Sequence, residues 1–519
     1  MNKIKINHIS NLNIAKSLFG ENQYKKTIDI CKKLISKDDP PVEALKLIAQ
    51  SYLFISEIEN ARFFFNKFLN YEPKDYEVIK DLGNTYLTTG DTLKAKLFYE
   101  KAISINDSYA PALNNLGSIE LNMGNMKDAL SLLLKATKSD SKLSHSWGNL
   151  ATCYFELKEN QKAESAIRKA ISINPDSSNF YYILANTLIA QKKLSEAESS
   201  LRKAIQINPN LFVAHSNLGS LLGQLGRLNE AEISVRKAIE LNPEYADAHA
   251  NLGCILQRLG KLEESKYSSK KAVEISPDWK KYFLYASSLF ENNEFTVAIE
   301  NLQKARSLVN KHELCVVDAA IKKTDMEIKK TNCSSSSKVI DNKEFNKQIL
   351  YKPVEKELIA YLYKLNNKLL NDTNTEDARY GNGFCSTNFQ LFEDSSLIIK
   401  NLARDLINTC KKELELEEII IYDSFFNIFV SGCGAKPHYH IGEIDMNFKL
   451  YLHKYSLVYY LDVGDQEGGN PGLLRLYEPE EEILPANGMV VIIDSNRYHS
   501  VSYSGNKNRV MIGINLYGF

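Results

Sequence analysis

Several features are scarce in this sequence. The eight cysteines (Cys31, Cys153, Cys254, Cys315, Cys333, Cys385, Cys410 and Cys433) include no C-x-x-C pair. This scatter argues against a disulfide framework or a thiolate zinc site and fits a reducing compartment. The N-terminus, Met-Asn-Lys-Ile-Lys-Ile-Asn-His, lacks the apolar core of a signal peptide. No uninterrupted apolar run approaches the roughly 18 residues of a membrane span. The expectation is a soluble cytoplasmic protein. An excess charge of either sign is also missing: 64 basic and 64 acidic residues give a net charge of zero. A general nucleic-acid binder needs a basic face, so that class is disfavoured. What is present is length and apolar content: 519 residues, 44% hydrophobic, enough for two to four domains with sizeable cores.

A fixed period runs through the first three fifths of the chain. A Leu-Gly-like pair recurs at Leu82-Gly83, Leu116-Gly117, Leu150-Ala151, Leu184-Ala185, Leu218-Gly219 and Leu252-Gly253, in steps of 34 residues. Two columns of small residues keep the same step, Ala95, Ala129, Ala163, Ala197, Ala231, Ser265 and Ala102, Ala136, Ala170, Ala204, Ala238, Ala272. Pro175, Pro209, Pro243 and Pro277 follow it too. Small residues let two antiparallel helices approach, while large ones such as Tyr86, Phe98 and Tyr154 fill the remaining space. Proline ends the second helix because it lacks an N–H and crowds the preceding turn. A single helix pair cannot bury its apolar face, so successive pairs stack.

These columns resemble the tetratricopeptide repeat. Ile48-Ala49, Ala61 and Pro73 suit an earlier copy, and Ile14-Ala15 a weaker one. Tyr285-Ala286, Ala298 and Ala305 suit a later copy shifted by one residue. The array is expected to span residues 1–310 with eight or nine copies, degenerate at its ends. Asn115, Asn149, Asn217 and Asn251 precede the Leu in four copies. On the first helix of each pair, which lines the concave groove in this family, such amides would either bind a peptide backbone or satisfy interhelical polar groups. The resemblance implies a protein or peptide partner.

The 34-residue step is lost over 311–345. That stretch contains Cys333-Ser334-Ser335-Ser336-Ser337 and reads as a linker. Helical spacing returns over 355–370 and 396–414. β-Branched and aromatic runs then predict strands over 419–430, 455–463, 472–477, 489–493 and 509–517. Helices followed by short strands over 346–519 suggest a double-stranded β-helix, or jelly roll, with flanking helices.

Pro437-His438-Tyr439-His440 places two imidazoles two residues apart, on one face of a strand about 7 Å from each other. His499 follows 59 residues after His440, and Arg509 ten residues later. The order His-x-His, His, Arg is similar to that of the 2-oxoglutarate/Fe(II) oxygenase superfamily. The text from Asp377 to Gly383, Ser424 to Asn427 and Arg509 to Gly513 resembles bacterial and phage-type members. The resemblance implies a dioxygenase acting as a hydroxylase, with His438, His440 and His499 at Fe(II) and Arg509 on the far carboxylate of 2-oxoglutarate. The sequence departs from the family pattern at position 440, where a carboxylate is usual. Either His440 is itself a ligand, or Glu443 or Asp445 supplies the acid. Asn427, Tyr459 and Tyr460 are candidates to line the cosubstrate pocket. Asp494 is a candidate to orient a ligand, and His453 reads as a loop residue. The implied combination is a solenoid that captures a protein substrate for an iron site. The alternatives are an interaction scaffold with an inactive jelly roll, and a cupin-like metal binder or isomerase.

Overall fold

The structure is a computed structural model describing residues 2–35, 41–311, 313–332, 347–372, 384–385, 390–429, 434–438, 443–464, 473–477, 480–503 and 507–519. Two compact units divide the chain, Met1–Pro243 and Glu244–Phe519.

Helix pairs occupy residues 2–308. The first helices are α1 (Asn2–Gly20), α3 (Val42–Phe54), α5 (Tyr76–Thr88), α7 (Ala110–Asn122), α9 (Ser144–Glu156), α11 (Ser178–Ala190), α13 (Phe212–Gln224), α15 (Ala246–Arg258) and α17 (Trp279–Glu291). Their partners are α2 (Tyr24–Ile35), α4 (Ile58–Leu69), α6 (Thr92–Ile105), α8 (Met126–Ser139), α10 (Asn160–Ile173), α12 (Leu194–Ile207), α14 (Leu228–Leu241), α16 (Leu262–Ile275) and α18 (Phe295–Leu308). Among the described residues this makes nine pairs, the upper end of the expected number.

A column not seen in the sequence reading registers all nine. The residue closing each first helix adopts a left-handed backbone at Asn22, Ser56, Gly90, Gly124, Lys158, Lys192, Gly226, Gly260 and Asn293, with φ between 60° and 82°. Each lies 34 residues after the previous one, except Asn293, which follows Gly260 by 33. That single deletion explains the one-residue shift of the last copy. Glycine is favoured there because a Cβ crowds the backbone at positive φ. The small-residue columns are fully buried, as at Ala95, Ala129, Ala163, Ala197 and Ala231. At Gly219 a Cβ would stand 2.2 Å from Val235 Cγ2, so the close approach of α13 and α14 requires the glycine.

The expected linker is in part a helix. α19 (Leu314–Asn332) buries Val316, Val317, Ala319 and Ala320. The serine run after it lies outside the described residues. Beyond come β1 (Lys347–Tyr351), α20 (Lys356–Asp372), β2 (Phe384–Cys385), α21 (Leu397–Glu413), β3 (Ile419–Phe429), β4 (Gly434–His438), β5 (Lys454–Asp462), β6 (Leu474–Leu476), β7 (Glu481–Ile483), β8 (Met489–Asp494), β9 (His499–Ser502) and β10 (Arg509–Gly518). Glu443–His453, two short 3-10 turns separated by a non-helical kink at Asn447, Phe448 and Lys449, lies between β4 and β5.

Two antiparallel sheets result, a six-stranded one in the order β1-β8-β5-β10-β3-β2 and a four-stranded one in the order β4-β9-β6-β7. Alternation sorts the large sheet's side chains onto two faces. Val458, Tyr460, Val491, Phe429 and Met511 form one core with Leu474, Leu476, Ile483 and Val501 of the small sheet, so the sheets pack face to face. Leu457, Tyr459, Val490, Ile492, Val510 and Ile512 turn the other way, onto Leu358, Leu362, Ile399 and Leu406 of α20 and α21.

A third core spans the expected boundary at 310 and 346. Phe283, Leu289, Phe290, Leu302, Val316 and Val317 of α17, α18 and α19 pack with Phe448, Leu450, Tyr517 and Phe519 of the sheet region. The last helix pair, α19 and the β10 edge of the sheet region therefore share one hydrophobic core, within Glu244–Phe519. Among the described residues, no helix is long and apolar enough to cross a membrane.

Candidate functional site

The inter-sheet face holds a set of polar side chains among its apolar ones. On β10, residues 509, 511 and 513 share a face, while Val510, Ile512 and Ile514 point to the helices. Arg509 stands opposite Phe429, and Met511 opposite both Asn427 on β3 and Tyr460 on β5. Arg509 and Asn427 thus share the face of Phe429, Met511 and Tyr460. Arg509 and Asn427 are 0% exposed, as is Tyr460.

Each of these groups carries an electrostatic cost. Burial lowers the affinity of the Arg509 guanidinium for its proton, while Tyr460 and Tyr503 oppose that shift. Its guanidinium carbon lies 4.4 Å from the Tyr503 ring centre, and Nε donates to the Val463 carbonyl at 3.4 Å. Gly464 makes room for this arrangement, since a Cβ there would meet the Tyr503 hydroxyl. Burial pushes the Tyr460 phenol well above its ordinary pKa, and the Arg509 charge pulls it back. The Tyr460 hydroxyl and both amide atoms of Asn427 are buried without a hydrogen-bond partner among the described residues. Such groups are rare in native proteins, and each calls for an explanation such as a bound ligand or water.

His499 joins the same face from the small sheet. It is directly opposite Leu476 and shares its side of β9 with Val501, both core residues. Its Nδ1 donates to the Arg497 carbonyl at 3.0 Å. A carbonyl can only accept, so this bond places a proton on Nδ1, the arrangement in which Nε2 would serve as a metal ligand. β4 pairs with β9 so that His438 lies in register with His499. Directly opposed Cα atoms in such a ladder are about 5 Å apart. Sequence spacing pairs His438 with His440 along one strand. The structure adds the cross-strand pairing of His438 with His499, which no spacing rule reveals.

Other candidates are placed elsewhere. Asp445 is corrected: its carboxylate is buried between Lys454 Nζ at 2.9 Å and the Tyr517 hydroxyl at 2.5 Å. Tyr517 lies eight residues along β10 from Arg509, roughly 27 Å at 3.4 Å per residue, so Asp445 serves a structural ion pair far from His499. Tyr459 faces the helices and donates to the Pro353 carbonyl at 2.8 Å. Its neighbour Tyr460 is the one that enters the inter-sheet face. Asp494 accepts from the Asn496 amide at 2.8 Å and its carbonyl from the Arg497 amide at 3.0 Å. It therefore shapes the turn that presents the Arg497 carbonyl to His499, rather than touching the imidazole. His453 closes the connection before β5, as a loop residue should, but it is half-buried and stacks on Phe519. His440 lies outside the described residues, as do the side chains of His438 and Glu443. Among the described residues no group of three His, Cys, Asp or Glu side chains is arranged to hold a metal.

In Met1–Pro243 the asparagine column is engaged between helix pairs. Asn115 Nδ2 donates to Asn84 Oδ1 at 3.0 Å, Asn149 Nδ2 to Asn114 Oδ1 at 3.0 Å and Asn217 Nδ2 to Asn186 Oδ1 at 2.8 Å. Gln50 Nε2 donates to Asp81 Oδ2 at 3.2 Å in the same manner. These bonds link successive first helices, the interhelical role weighed for the column.

A family profile described as the cilia and flagella-associated protein 70 C-terminal domain matches residues 69–280. Among solved structures, similarity extends to the APC/C hetero-tetramer Cut9–Hcn1 (15% identity, TM-score 0.45, 54% of this chain and 55% of that chain). The chain thus spans about half the length of that relative. A tetratricopeptide repeat protein from Parabacteroides merdae is similar at 21% identity (TM-score 0.39, 48% and 98%). So is YrrB, a TPR protein with an unusual peptide-binding site (23% identity, TM-score 0.30, 38% and 97%). No curated protein matches the chain.

Proposed function

Because the chain is a tetratricopeptide-repeat protein, we propose that its repeats bind a protein or peptide partner and that its two-sheet domain, a jelly roll of the double-stranded β-helix kind, is a 2-oxoglutarate- and Fe(II)-dependent oxygenase acting on that partner. One observation carries the enzymatic half: Arg509, Asn427, Tyr460 and His499 converge on the inter-sheet face, with His438 in register opposite His499.

The donor set fits the cosubstrate and the metal. A buried planar guanidinium is suited to a carboxylate, which it grips with two parallel N–H bonds. The Tyr460 hydroxyl and Asn427 amide, which have no partner among the described residues, supply further donors where an anionic ligand would need them. His438 and His499 would hold Fe(II), with His440 or Glu443 completing the set. Bound there, iron and 2-oxoglutarate would supply the oxidation of a C–H bond. The chain's own part is to neutralise the cosubstrate's far carboxylate through Arg509, to fix the His499 tautomer through Arg497, and to exclude water with the apolar inter-sheet core. The reduced thiols of Cys31, Cys153 and Cys410 agree with a cytoplasmic setting.

A second reading, an interaction scaffold whose two-sheet domain is inactive, draws on two observations. Asp445 is committed to Lys454, and the family match ends at residue 280, ahead of the sheets. Anaerobic addition of Fe(II) and 2-oxoglutarate separates the two. The oxygenase reading expects a weak visible charge-transfer band and succinate release on admitting air, with iron binding lost in His499→Ala and cosubstrate affinity lost in Arg509→Ala. No band and no succinate in the wild type would leave the scaffold reading.

A further inference from the structure

Side-chain hydrogen bonds of the kind that link successive first helices recur at the last repeat. Within Glu244–Phe519, Gln257 Nε2 of α15 donates to Ser287 Oγ of α17 at 3.1 Å, and Ser287 Oγ donates in turn to Asn447 Oδ1 at 3.0 Å. Asn447 belongs to the connection between β4 and β5. The next residue, Phe448, is 0% exposed and lies edge-on between Phe283 and Phe290 of α17, with ring centres 5.2 and 5.1 Å away. The residue after that, Lys449, approaches Glu291 of α17 at 3.7 Å. Three consecutive residues of the sheet region therefore meet four residues on one face of α17 through an amide, an aromatic and a cationic contact. This face carries the end of the interhelical ladder, the side of the first helices on which a groove ligand is expected.

The occupying segment is strained. Phe448 and Lys449 both have φ of 55°, a left-handed conformation that residues with a Cβ disfavour. Two in succession, neither of them glycine, persist only where surrounding contacts outweigh the cost, a pattern found at clamps and switches. Burial of the Phe448 ring is the compensating contact here.

We propose that this face of α17 is a recognition surface for a short peptide with an aromatic residue between a carboxamide and a cation, and that Asn447-Phe448-Lys449 occupies it in cis until a partner segment of the same chemistry displaces it. The inference rests on the partner-binding half of the proposed function and not on iron. A surface filled by its own chain binds an outside peptide more weakly, by the fraction of time it stands open.

The test is fluorescence anisotropy with a labelled peptide of residues 443–452, added to the full chain without metal or cosubstrate. Phe448→Ala vacates the surface, and saturable binding at least about tenfold tighter than to the wild type is expected. Lys449→Glu opposes Glu291 without altering the core and keeps the test decisive should Phe448→Ala fail to fold. It too should take up the peptide better than the wild type. A peptide with alanine in place of its phenylalanine should bind none of the three proteins. Equal binding to wild type and variants, binding to no folded variant, or equal binding of the alanine peptide would each overturn the proposal. Because no iron is involved, these outcomes are separate from those of the oxygenase test.

Discussion

Burying a hydroxyl without a partner costs about 1–3 kcal/mol, and the buried Tyr460 hydroxyl has none among the described residues. The cost is explained if the group serves a ligand that reaches it only on binding. Tyr460→Phe is then expected to stabilise the ligand-free protein by about 1 kcal/mol in urea unfolding while weakening 2-oxoglutarate binding about tenfold, or ~1.4 kcal/mol. A variant less stable than the wild type would remove the orphan-donor argument. Two glycines in the repeats give the opposite contrast. Gly219→Ala drives a methyl to 2.2 Å from the Val235 side chain, an overpacking that should cost about 1–3 kcal/mol. Gly226→Ala meets nothing within 4 Å but sits at φ of 77°, so only the backbone objects, by about 1–2 kcal/mol. Thermal unfolding of the double variant should show additive losses, since one defect is side-chain packing and the other backbone conformation. A loss well short of additive would mean that one relaxation relieves both.

At the scale of elements, the joint between α19 and β10 contains a titratable group. His453 donates through Nδ1 to the Gly518 carbonyl at 3.2 Å, and Lys323 Nζ donates to its Nε2 at 3.2 Å. Burial, then the Lys323 charge, brings its pKa down to about 4 from an ordinary value near 6.5. The folded state therefore holds the neutral ring, while the unfolded chain takes up a proton below about pH 6.5. This contribution is fully present above that pH and is lost as the pH falls toward 4, by up to about 3 kcal/mol. His453→Gln keeps a donor for Gly518 and should flatten that part of the stability–pH curve. An unchanged slope in the variant would place the acid sensitivity elsewhere. Nothing in the local sequence marked this residue, because its partners lie 130 and 65 positions away. The same distinction separates what was legible from what was not. The 34-residue step is local and repeated, so the helix pairs could be read directly, and long apolar strands such as β3, β5, β8 and β10 announced themselves by composition. The short strands β1, β2, β7 and β9 did not, since their pairing is decided by partners far along the chain. The left-handed turn column was hidden because Asn, Ser, Lys and Gly alternate at one backbone conformation. Asp445 looked available as a ligand only while Lys454 and Tyr517 were not known to surround it. Tyr459 and Tyr460 could be told apart only once the strand's faces were fixed.

For the whole molecule, the consequence is where the chain can be cut. Composition suggested a repeat array ending near 310 and a sheet domain starting near 346. The third hydrophobic core ignores that division, because Phe448, Leu450, Tyr517 and Phe519 are buried against α17, α18 and α19. Each large apolar side chain returned to water forfeits about 1.5–3 kcal/mol, so exposing these four removes roughly 6–12 kcal/mol. That is comparable to the whole stability of a typical domain, about 5–15 kcal/mol. Residues 346–519 alone should therefore fail to fold cooperatively and should aggregate through the bared aromatic face. Residues 244–519, which keep that core intact, should unfold in a single cooperative transition in urea. The same pair of fragments bears on the origin of any catalytic activity. Deleting 1–310 would abolish turnover by unfolding the sheets, whatever the repeats bind, whereas deleting 1–243 tests the seven preceding helix pairs as the partner-binding element. Cooperative unfolding of 346–519 on its own would restore the simpler two-domain division and make the α17–α19 contact dispensable.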